Sequence, residues 1–152
     1  MNIEFDFSEL KKLEQQYAEL IDYSDVEETN RKIVSDISNL VTAKMKGNMP
    51  VSEDVSKSGR GFGTLSSVTD HAANEIPVGS VKSTEAETSM EVGWTKSDNS
   101  DHFYVKFIEW GTIYEPPREF VDKTSKEVND EAGNIADRAY QDLVDRKLGK
   151  DA

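Results

Sequence analysis

Between Phe103 and Val121 the chain reads FYVKFIEWGTIYEPPREFV, nineteen residues that hold six aromatic rings, a Gly-Thr step and a Pro-Pro pair. Any fold of this chain has to place that block. The remainder is polar: 36% of all residues are hydrophobic and 32% are charged. The apolar side chains must therefore gather on a few faces if the chain is to fold alone. At 152 residues it has the size of one domain, and such a chain buries about 70% of the surface its unfolded form exposes. The composition implies a thin core, an obligate partner, or both.

The formal net charge of -12 opposes non-specific binding to DNA, RNA and anionic lipid. The acidic excess is spread along the chain, so no charged tail stands apart as a tether. Cysteine is absent, which removes disulfides, thiolate metal sites and thiol nucleophiles. The start, MNIEFDFSELKK, lacks the basic-then-apolar order of a signal peptide, and no stretch approaches the length of a membrane span. The expectation is a soluble protein, without membrane contact, used where it is made.

Helical spacing appears first at Leu10, Leu13, Tyr17, Leu20 and Ile21 behind a cap at Ser8, giving a helical extension within residues 1–24. The pattern restarts at Ser24 or Asp25, with Glu27 or Glu28 completing a capping box. Ile33, Ile37, Leu40, Val41 and Met45 then share one face, and Gly47 with Pro50 marks the stop. Residues 51–64, VSEDVSKSGRGFGT, lack apolar periodicity and read as a mobile loop. A strand over Val78 to Lys82, the connection STEAET and a second strand with Met90, Val92 and Trp94 on one face predict a small antiparallel sheet.

Tyr104, Phe107, Ile108 and Gly111 fall at i, i+3, i+4 and i+7, which favours a short helix over the competing alternation of Phe103, Val105 and Phe107. Pro116 and Pro117 suit the start of a last helix over 117–148, along which Phe120, Thr124, Val128, Ala132, Ile135, Ala139 and Leu143 form one seam. The predicted architecture is a single α+β domain: a long N-terminal helix, a small antiparallel sheet, a short helix and a long C-terminal helix.

Catalytic and cofactor motifs are scarce. SGRGFGT has Thr64 where the dinucleotide pattern needs glycine, and it lacks the Gly-Lys-Ser/Thr of a triphosphate loop. His71 and His102 have no metal-ligand spacing and read as solvated loop residues. SDNSDHF lacks the alternating ligands and sixth-position glycine of a calcium loop. Glu109 stands alone as a framed carboxylate, without a nucleophile and base beside it. Its structural role would be to accept bonds from the amides of the turn at Gly111 and Thr112. The reading is of a non-enzymatic protein with no catalytic residue, metal or cofactor.

FYVKFIEWGT followed by PPREFV resembles the signature of the small neck, or tail-completion, proteins of long-tailed bacteriophages, also described as minor capsid or tail components. Tyr104, Ile108, Glu109, Trp110, Gly111, Thr112, Pro117 and Phe120 stand at the positions that carry it. MEVGW and GTLSSV extend the likeness outward, although the chain inserts SEDVSKSGRGFG before the latter and has Glu119 where a proline is common. The resemblance implies a structural virion protein, made in the host cytoplasm and placed in the neck as a homo-oligomeric ring that joins the DNA-filled head to the tail. Its partners would be head-completion and tail-terminator or tail-tube proteins, with no tight nucleic-acid binding.

On that reading Trp110, Tyr114, Tyr104 and Phe120 are the candidate interface residues and Glu109, Gly111 and Thr112 hold the turn. Phe107 and Phe120 read equally well as core. Two other readings stand beside it: an acidic adaptor outside any virion that binds a basic protein partner, and, least supported, a hydrolase using Glu109.

Overall fold

A computed structural model describes residues 21–54 and 70–149. Residues 1–20 of the expected helical extension and 55–64 of the expected mobile loop lie outside them.

The first described helix, α1, runs Tyr23–Asn48. Its N-cap is Asp22 rather than Ser24 or Asp25. The Asp22 carboxylate accepts from the Asp25 amide at 3.0 Å, and the Asp25 carboxylate accepts from the Asp22 amide at 3.2 Å. Aspartate thus replaces the usual glutamate in a reciprocal capping box, and the Ser24 hydroxyl donates to Asp22 at 2.7 Å. Thr29, Ile33, Ser38 and Met45 are the buried positions. Gly47 lies inside the helix and does not stop it. Pro50 does: the residue before a proline is pushed out of the helical region, and Met49 is extended at φ -70 and ψ 133 while its amide still bonds Met45.

After a 3-10 turn at Ala72–Asn74 comes the predicted antiparallel pair, with its named strands reaching into the 83–88 stretch expected as the connection and the expected strand positions Val78 and Val92 meeting in a single bridge. Strand β1 (Lys82–Ser83) pairs antiparallel with β2 (Thr88–Ser89) in the register Lys82 to Ser89 and Ser83 to Thr88. Val78 opposite Val92 continues the pairing. From one pair to the other the first strand advances four residues and the second three, so an extra residue bulges from the first strand and interrupts the ladder. Val92 and Trp94 pack on the core, as their alternation predicts. The connection closes through the Thr84 amide to the Glu87 carbonyl at 2.8 Å.

A short helix, α2 (Val105–Trp110), precedes α3 (Phe120–Leu148). α3 starts at Phe120, three residues later than the predicted 117, and buries Phe120, Thr124, Val128 and Leu143. It runs antiparallel to α1. Lys147 pairs with Asp25 and Tyr140 donates to Asn30 at one end. At the other, the Asn48 side-chain amide donates to Thr124 Oγ1 at 3.1 Å and Glu127 Oε2 at 2.8 Å. The core sits at this second end, where Met45, Met49, Ala72, Ala73, Val105 and Phe120 meet. No described helix is long and apolar enough to cross a membrane.

The cap of α1 titrates. Hydrogen bonds from the Ser24 hydroxyl and then the Asp25 amide hold the Asp22 carboxyl below the usual carboxylate range. A depressed pKa stabilises the fold above the unfolded-state value and loses that contribution as pH falls through the folded-state value. Asp22→Asn keeps a capping oxygen without the charge. The melting-temperature gap between wild type and this variant is expected to be constant near neutrality and to close in the acid range, below ordinary carboxylate pKa values. A gap independent of pH would contradict the assignment.

Candidate interaction face

α2 is six residues long, too short to persist alone. Its inner side carries Val105 and Glu109, both buried, while Phe107 and Trp110 are 46% and 51% exposed. Gly111 then breaks the helix at φ 73. A Cβ there would lie 2.6 Å from the Pro117 nitrogen and 2.8 Å from the Glu115 carbonyl, so both conformation and space require glycine.

The chain next reverses over Thr112–Glu115. The Thr112 amide donates to the Glu115 carbonyl at 2.8 Å, and Thr112 Oγ1 accepts from the amides of Tyr114 and Glu115, each at 3.1 Å. This is a hydroxyl-braced turn whose two central residues, Ile113 and Tyr114, are 89% and 88% exposed. Turn centres ordinarily carry Gly, Asn, Asp or Pro. Here they form an apolar tip.

Returning, the chain satisfies the carbonyls that α2 leaves open: the Arg118 amide donates to Ile108 at 2.9 Å and the Glu119 amide to Glu109 at 3.3 Å. Glu119, the N-cap of α3, sits in the left-handed region at φ 47 and makes no side-chain cap. The cap comes from a distance instead. Glu109 Oε2 accepts from the Val121 amide at 3.1 Å, placing a carboxylate at the positive end of α3. The expectation that Glu109 holds the amides of Gly111 and Thr112 is therefore corrected: its carboxylate caps α3, and Thr112 braces its own turn.

The other aromatic residues divide. Trp110 and Tyr114 face outward, with the Lys96 ammonium 5.1 Å above the Trp110 ring. Phe120 is 2% exposed and belongs to the core, so it has no free face to offer a partner. Tyr104 packs on the core and brings its hydroxyl 3.4 Å from His102 Nδ1. His102 is no solvated loop residue: it is 5% exposed, with Nε2 at 2.7 Å from the Glu75 carboxylate and the Trp94 ring edge-on. The turns from Asp98 to Phe103 fold it inward. His71 is half-buried, and its amide donates to Asp70 at 2.7 Å. Among the described residues no group of three His, Cys, Asp or Glu side chains is arranged to hold a metal ion.

Beside the tip lies a groove of ≈ 450 Å³, walled by Met49, Pro50, Tyr104, Phe107 and Ile108. Sequence reasoning missed both Ile113 and this groove. The available signal was the placement of Ile-Tyr between Thr112 and Glu115, where a turn would otherwise be polar. No family model matches the chain, and no curated protein or solved structure matches it.

Removing the carboxylate leaves the Val121 amide without its partner at a part-buried helix start. Glu109→Ala is expected to destabilise the fold by about 1–3 kcal/mol in urea denaturation, with Glu109→Gln, which retains an acceptor, falling between it and wild type. Equal stability of Glu109→Ala and wild type would show that the bond does not hold α3.

Proposed function

We propose that this chain is a structural, non-enzymatic protein of a phage neck, working through protein contacts in a ring that joins head to tail. The observation that supports this most is the state of the block that resembles the neck-protein signature. Gly111 and Thr112 make a braced reversal that holds Ile113 and Tyr114 out from the surface, next to the half-exposed Trp110. Rigid, exposed aromatic residues are the anchors protein interfaces use, because little ordering is left to be done on binding. In this reading the anchors meet a head-completion or a tail-terminator or tail-tube protein, and the protein resides in the virion. The net charge of -12 favours a second reading, an acidic adaptor for a basic partner outside any virion. Gene neighbourhood separates them: portal and tail genes on either side support the first, metabolic genes the second.

The roles of neighbouring side chains are expected to come apart. Trp110→Ala and Tyr114→Ala should melt close to wild type yet fail to rescue a phage lacking the gene, leaving unjoined heads and tails in electron micrographs. Full-titre, tailed particles from both variants would remove the joining role of this face.

DNA passes through a neck, but this surface repels phosphate. Fluorescence anisotropy with a labelled duplex at physiological salt is expected to show no sub-micromolar binding. Tight binding would instead favour a DNA-handling role.

A further inference from the structure

The apolar tip and the apolar groove adjoin one another on the same face. The tip cannot fold into its own groove, because the Gly111 reversal and the Thr112 bonds hold Ile113 and Tyr114 outward, 89% and 88% exposed. At the edge of the groove stand Glu115 and Arg118, one charge of each sign. Among the described residues neither side chain has a hydrogen-bonding or ionic partner.

We infer that this face pairs two copies of the chain about a two-fold axis, the Ile113–Tyr114 tip of each seated in the groove of the other and Glu115 of each opposite Arg118 of the other. Charge complementarity selects the occupant. A basic partner would meet Arg118 and an acidic one would meet Glu115; a second copy sets each edge charge against its opposite. Geometry selects the symmetry. Head-to-tail contacts need knob and hole on separate surfaces, whereas a knob beside its hole is self-complementary only under a two-fold rotation. The pairing goes beyond the neck reading and does not rest on it. In either setting it covers an aromatic face until a partner displaces the second copy.

Sedimentation velocity on the full chain over a range of concentrations tests this, with circular dichroism melting to confirm that each variant is folded. Wild type is expected to pass from one copy to two and to stop there. Tyr114→Ser is expected to weaken pairing at least about tenfold, as loss of a central aromatic anchor does. Glu115→Arg and Arg118→Glu should each be monomeric, since each sets like charges opposite one another twice. An equimolar mixture of those two variants should regain the dimer, because both contacts again join opposite signs. A wild-type chain that stays monomeric at hundreds of micromolar overturns the inference. So does association continuing past two copies, a dimer indifferent to Tyr114→Ser, or a mixture that remains monomeric.

Discussion

One carboxylate joins the short helix of this fold to the long helix that follows it. Glu109 lies on a helix of six residues and bonds the second amide of a helix of 29. Neither element closes the end that faces the turn. α2 leaves carbonyls that only the returning amides of Arg118 and Glu119 satisfy, and α3 begins from a left-handed glutamate that caps nothing. Each helix thus completes the other. The intervening turn is short and stiff because Pro117 closes tightly over Gly111, leaving room for a hydrogen but not a methyl group. The exposed residues of the tip take their position from this mutual completion rather than from packing of their own.

Around that junction the core is small and lies toward one end of the helix pair. Met45 and Met49 bring the end of α1 to it, Val105 comes from α2, and Phe120 begins α3. The hairpin contributes Val92 and Trp94 from one face, and its bulge turns the remaining strand residues away from a longer ladder. Beneath it, His102 is held between the Glu75 carboxylate and the Tyr104 hydroxyl. This polar pair ties the segment after the 3-10 turn to the start of α2. The candidate face is consequently supported from behind by the best-buried residues of the molecule, which is why it can carry apolar side chains outward without collapsing onto them.

Periodicity made the elements legible: the stripe of α1, the seam of α3, the paired strands and the choice of helix at Tyr104 to Gly111 all follow from spacing. Gly111 was legible as a turn because glycine ends helices. What spacing cannot carry is partnership across the chain. Glu109 reads as a local turn residue because its true partner, the amide of Val121, is twelve residues on. His102 reads as solvated because its acidic neighbours in sequence suggest water, while its burial depends on Glu75, 27 residues earlier. Phe120 and Tyr114 look alike as aromatic residues near a proline turn. One is the first residue of a helix facing the core and the other is the centre of a turn, and only the chain reversal distinguishes them. Gly47 reads as part of the stop of α1, yet the constraint that acts is steric and comes from Pro50.

The antiparallel pair of α1 and α3 is tied by polar bonds at both extremities, Asp25 to Lys147 and Asn30 to Tyr140 at one, Asn48 to Thr124 and Glu127 at the other. Apolar contacts between helices tolerate sliding, since one ridge resembles the next a turn away. Polar contacts do not. A slip of one turn, about 5.4 Å, would part every one of these bonds together rather than one after another. The helix pair therefore resists shear along its length as a unit, while a pull across it is opposed at one end by the polar bonds there and at the other by the bonds and the core together.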